Sequence, residues 1–236
     1  MILEIMVISQ LIAGILPVGL GIYFYKKDPD MFLNQLLGVS MSIMGVSLVV
    51  DAIVLFFGNS AVYTFTEHII AFSLTFGMGG FFLAGITLVR GDEVKSLKFV
   101  VPVLLVSLMP GTVIFLIQSV NVESVTILGE TVLRADWGII GDIILLSVFV
   151  IFFFGSLFYF YTVYPKVEGE IKARLRFFLG GMLTIGVSIV IANLMFYIIT
   201  DPLLELIVPL SGTYGSIALG ALIIIYGFIK HSTPSE

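Results

Sequence analysis

Cysteine is absent from this chain of 236 residues, and only two histidines, His68 and His231, are present. Without thiols there can be no disulfide, thiolate nucleophile or zinc ribbon, and two imidazoles cannot furnish a multi-histidine metal site. Charge is scarce as well, at 11% of residues against roughly 25% in soluble domains. Hydrocarbon takes its place: 59% of residues are hydrophobic, and the mean hydropathy is +1.17. Because this apolar character runs along the whole chain, about seven helices of ~20 residues fit. The expectation is an all-α, multi-pass protein of the cell membrane, a seven-helix bundle with the lipid bilayer as its first partner and no room for a soluble catalytic domain.

Apolar runs read against breakers predict helices near residues 3–25, 31–57, 64–89, 99–119, 137–164, 175–199 and 203–229. Asp28-Pro29 and Asp201-Pro202 each put a carboxylate before a proline, and Thr64 with Glu67 fits a capping box, which marks the starts of helices two, seven and three. The start Met1-Ile2-Leu3-Glu4 lacks a positive region before its apolar run, so the first helix is expected to stay in the mature protein. No internal repeat stands out, and an odd helix count does not divide into two inverted halves, so residues 1–236 read as one domain. Gly212, Ser216 and Gly220, with Gly77, Gly80 and Gly85, mark close helix packing. Pro17, Pro110 and Pro209 should kink their helices, each lacking a backbone donor.

Lysine and arginine set a direction. Ten of the eleven fall in segments that share one side, among them Lys26, Lys98, Arg174 and Lys230, while Arg134 alone lies opposite. The positive-inside rule then puts the amino terminus outside and the carboxyl terminus in the cytoplasm. Trp137 and the trio Tyr159, Tyr161 and Tyr164 sit where aromatic belts belong. Nine acids fall outside or in the outer half of the helices and seven inside, which makes the outer face acidic. The long outer loop, 120–136, has β-branched residues on both sides of Leu128-Gly129, so a hairpin over 122–134 is expected, with Gly129 in its turn, either as a lid over the pocket or as a solubilising cover without contact to a ligand. On the inner side, Pro165 to Arg176 reads as a helical extension with Glu168–Lys172 and Glu170–Arg174 pairs, suited to a partner or acidic lipid.

The informative residues are those a lipid-facing surface would not tolerate. Taking ~1.5 Å of rise per residue, Gln10 lies ~10 Å below the outer end of its helix, Asp51 and Asn193 ~9 Å, Asp142 ~7.5 Å and His68 ~6 Å. Convergence of these five on one outer-half ligand site is the expectation, with Gln118, Glu205, Ser211 and Thr213 at its mouth. Glu67 and Asp136 are set aside as helix caps and Glu205 as a first-turn carboxylate. Asp51 carries most weight, because the helix dipole opposes a carboxylate near a helix end of that polarity. One histidine and two carboxylates make a weak cation cluster, and neither a metal nor a cofactor is expected. The inner half holds no acid or base between the helix ends, so a polar relay would stop halfway.

The stretch Arg174-Leu175-Arg176-Phe177-Phe178-Leu179-Gly180-Gly181, then Asn193, then a last helix closing on Ile225-Tyr226-Gly227-Phe228-Ile229-Lys230-His231, resembles the seven-helix amino-terminal sensor region of prokaryotic membrane histidine kinases. That resemblance implies a sensor bundle without kinase activity, its output domain absent or supplied by another protein. Retinal proteins need a lysine within helix seven, where Lys230 lies only at the end. Rhodopsin-like receptors are matched in architecture alone, since their motifs and disulfide are missing. The expected function is a sensor or receptor-like module for a small extracellular or membrane-borne ligand, signalling to a cytoplasmic protein. The alternative is a transporter or channel for a small solute or cation. With no nucleophile and base pair in view, an enzyme is not expected, nor is a nucleic-acid partner.

Overall fold

Within a bilayer every backbone N–H and C=O must be paired inside the chain, which leaves the helix as the form for apolar runs of this length. The computed structural model describes residues 2–117, 120–127, 129–196, 198–199, 204 and 207–231. These contain seven helical spans long and apolar enough to cross a membrane. They comprise α1 (Ile2–Lys27), α2 (Phe32–Phe57), α3 (Ser60–Arg90) and α4 (Leu97–Ile117). The fifth span runs from α5 (Gly138–Val148) through a π-helical segment (Phe149–Phe154) into α6 (Gly155–Val163). The sixth is α7 (Gly169–Phe196), and the seventh joins a π-helical segment (Pro209–Gly215) to α8 (Ser216–Lys230).

Several boundaries differ from the sequence reading for definite reasons. Asn59 caps α3, its Oδ1 accepting Val62 N–H at 3.1 Å, so the helix begins a turn before Thr64. Thr64 bonds the Ser60 carbonyl instead, and Glu67 is therefore not a capping-box residue. Asp28 accepts from the backbone of Asp30 and Met31, organising the turn ahead of α2 without capping the helix. The helical extension expected over Pro165–Arg176 is broken: a 3-10 turn (Tyr164–Lys166) ends before Val167 and Glu168, and only from Gly169, at φ +59, does the charged stretch join α7. Neither π segment was foreseen. Asp201-Pro202, Glu205 and Gln118 lie outside the described residues.

Between α4 and α5, β1 (Asn121–Ile127) and β2 (Glu130–Asp136) form an antiparallel hairpin, with Ile127 opposite Glu130. Gly129, at φ +85, supplies the left-handed backbone that its tight turn requires. The hairpin lies across the end of the bundle where α1 and α3 start: Val132 is buried with Ile2, Val7, Leu55 and Tyr63, and Val122 and Leu133 pack against them.

α3 is the central helix, with 67% of its span buried against 17–39% for the others. Small residues bring the neighbours close. A Cβ on Gly45 would fall 2.5 Å from the Gly14 carbonyl oxygen, and one on Gly38 would fall 2.9 Å from that of Gly21, so α1 and α2 touch backbone to backbone at two levels. Gly181 of α7 and Gly220 of α8 make the same contact, and Gly77, Gly80 and Gly85 of α3 face Met44, Ser40 and Ser156. In the half of the bundle away from the hairpin, Phe81 stacks on Phe153 at 5.6 Å and on Phe160 at 5.8 Å, and Phe24 and Phe178 close the cluster.

Candidate functional site

Gln10 stands one turn before Gly14 on the same face of α1, so the close α1–α2 contact that Gly14 permits also turns Gln10 toward α2. There its Nε2 donates to Asp51 Oδ2 at 3.0 Å and to the Tyr214 hydroxyl at 2.6 Å. Tyr63 and Glu67, four residues apart on one face of α3, complete the group, and both approach the Asp51 carboxyl. Gln10 is 2% exposed, Asp51 7%, and Tyr63 and Glu67 5% each. Four helical spans thus put five polar side chains into the hairpin end of the bundle.

These groups line a cavity of about 250 Å³. Its roof is the hairpin, through Val125, Ile127, Val132, Leu133, Arg134 and Ala135, and Trp137, Met6 and Leu210 complete the wall. The hairpin therefore covers the polar cluster and forms part of its cavity. Two buried atoms there, Gln10 Oε1 and Asp51 Oδ1, have no hydrogen-bond partner of acceptable geometry. Both are acceptors. Buried acceptors of this kind are costly when unmet and are rare in folded proteins.

Of the residues singled out in the sequence, the structure brings Gln10 and Asp51 together and distributes the rest. His68 pairs through Nδ1 with the Thr64 carbonyl of its own helix at 2.8 Å and meets the Phe115 ring edge-on. Asp142, half-buried on α5, does not line this cavity. Asn193 bonds the Ile189 carbonyl and, with Thr213 and Thr75, lines a second, largely apolar cavity of about 250 Å³ at the centre of the bundle. Its walls are mainly Met41, Met44, Met78, Met182, Phe149 and Ile185. Both π segments reach it, through Phe149 and Phe153 and through Thr213, in keeping with the frequent use of π turns at functional sites.

Tyr63, Glu67 and Tyr214 belong to the polar site and were not foreseen as members. The signal for the first pair is their i, i+4 spacing at the start of an apolar helix. Tyr214 gave none beyond its place in a run of small polar residues. Among the described residues no group of three His, Cys, Asp or Glu side chains could hold a metal ion. Compared with known protein families and with curated proteins, the chain matches none.

Proposed function

We propose that this protein is a sensor or receptor-like module of the cell membrane. Its hairpin faces outside and its basic end faces the cytoplasm. It binds a small extracellular or membrane-borne ligand in the cavity under the hairpin and passes a helix shift to a cytoplasmic signalling protein. The orientation rests on the asymmetry of basic residues, with Arg134 alone at the hairpin end. The sensor reading rests on one observation above all: polarity ends abruptly. Below Gln10, Asp51, Tyr63 and Glu67 come a methionine-rich cavity and the Phe81 aromatic cluster, with no acid or base between them and the far end. Ion and proton pathways need polar groups across the membrane, whereas a receptor needs only a ligand site and helices able to shift. The resemblance to histidine kinase sensor regions supports the same reading.

One observation favours transport of a small solute instead, namely that the central cavity lies within the bundle beyond the polar one. Proteoliposomes separate the two. The sensor should show no flux of protons, sodium or potassium above empty vesicles, and a saturable current abolished by Asp51→Asn would establish transport. Cysteine labels test the orientation: one at Gly129 should react from outside and one at Gly91 only after permeabilisation.

A further inference from the structure

The polar cluster is rich in acceptors and poor in donors. Asp51 and Glu67 together offer four carboxylate oxygens, and Gln10 adds its carbonyl oxygen. Against these, the Gln10 amide already donates to Asp51 Oδ2 and Tyr214, Tyr63 and Tyr214 bring one hydroxyl proton each, and the other donors of the lining are on Arg134 of the hairpin and Trp137 just after it. The deficit is visible as Gln10 Oε1 and Asp51 Oδ1, buried beside the cavity with no hydrogen-bond partner of acceptable geometry, although Tyr63 and Glu67 approach the Asp51 carboxyl. A molecule that completes these two acceptors has to bring donors, and a single positive charge suits a site where two neighbouring carboxyls share the lining with one arginine. The cavity also constrains its size and remaining surface. At about 250 Å³ it is far larger than a bare metal ion, and Trp137, Met6, Val132 and Leu210 give it an aromatic and aliphatic wall. Aromatic faces attract cations, and the aliphatic wall suits a short hydrocarbon chain. Arg134 also lines the cavity, from the hairpin side.

We infer that the cavity under the hairpin binds a small organic primary ammonium ion, with its N–H donors on Gln10 Oε1 and Asp51 Oδ1 and its hydrocarbon part against Trp137 and Leu210. This names the ligand class for the site proposed above, and rests on that reading of the cavity.

Titration calorimetry on the full chain in lipid nanodiscs, at constant ionic strength, tests it with n-butylammonium, tetramethylammonium, n-butanol, sodium and calcium. Saturable binding is expected for n-butylammonium, at least about tenfold tighter than for the other probes. Asp51→Asn should weaken it about thirtyfold or more, as loss of one partner of a buried charge pair does. His68→Asn, outside the cavity, should leave it unchanged. Equal binding of n-butanol would show that charge is not recognised, and equal binding of tetramethylammonium that N–H donors are not; either overturns the inference. So does calcium or sodium binding that excludes n-butylammonium. If no probe binds, the deficit is met by water or by protons, and the inference also falls. Should Asp51→Asn fail to fold, Glu67→Gln replaces it, and the selectivity of the wild-type chain decides by itself. Spin labels at Lys172 and Lys230 keep the two readings apart: amine binding without any change in their distance upholds the inference and overturns the sensor.

Discussion

The carboxylate of Glu130, in the hairpin, accepts the backbone N–H of Ile2 at 2.9 Å and that of Leu3 at 3.4 Å, so β2 caps the first turn of α1. First-turn N–H groups lack partners within their own helix, and negative charge is favoured there. The cap therefore ties the cover of the cavity to the helix that carries Gln10. Glu130→Ala should speed amide hydrogen exchange in β1 and β2, and Glu130→Gln, which keeps an acceptor, should do so less. Equal exchange in all three proteins would show that apolar contacts such as Val132 hold the hairpin alone.

Close helix contact makes a sharper stability prediction. A Cβ at Gly45 meets the Gly14 carbonyl oxygen at 2.5 Å and backbone cannot step aside cheaply, whereas a Cβ at Gly19 meets nothing within 4 Å. Gly45→Val should therefore cost ~1–3 kcal/mol, as other overpacked substitutions do, while Gly19→Ala should cost nothing and can gain up to ~1 kcal/mol from helix propensity. Thermal melts of the two variants in the same detergent decide the matter, and a Gly45→Val protein as stable as wild type would contradict the backbone contact.

How far the sequence reveals this molecule depends on the range of the interaction concerned. Apolar length alone makes the seven spans legible, and the β-branched runs around Gly129 show the hairpin, because both are local properties of the chain. Asp51 stands out for the cost of its position, and Gln10 for its depth. Glu67 fitted a local rule, the capping box, whose place Asn59 had already taken one turn earlier. Tyr214 reaches Gln10 from within a π segment that begins at Pro209; the proline signals a distortion there, but not which side chain it turns inward. His68, Asp142 and Asn193 share a depth with Asp51, but depth fixes one coordinate of three and leaves the angular position of each side chain to packing.

At the basic end, Arg174 of α7 donates through Nε to the His231 carbonyl at 2.9 Å and pairs with Glu170 at 3.3 Å. Cationic donors on the last carbonyls of a helix stabilise its end, so α8 finishes pinned to α7. Arg174→Gln should raise hydrogen exchange at Phe228 to Lys230, whereas Arg176→Gln, which removes a cation over the Phe177 ring, should not. If the exchange of α8 responds equally to both, general charge at this end and not the Arg174 bond holds the helix.

Gln10 and Asp51 also permit a test of why a buried polar pair is present at all. Removing one partner leaves the other buried and unmet, at a cost of ~1–3 kcal/mol, while replacing both with apolar side chains of similar size can be nearly neutral. Asp51→Leu and Gln10→Leu should each lower stability, and the double variant should lose less than their sum by ~0.5–3 kcal/mol, since the two side chains are in contact. If the double variant is as stable as wild type but no longer binds n-butylammonium, the pair is kept for its ligand and not for the fold. If the two single losses simply add, the 3.0 Å hydrogen bond between them contributes nothing to stability, and the polar cluster is not the coupled unit on which the proposed site depends.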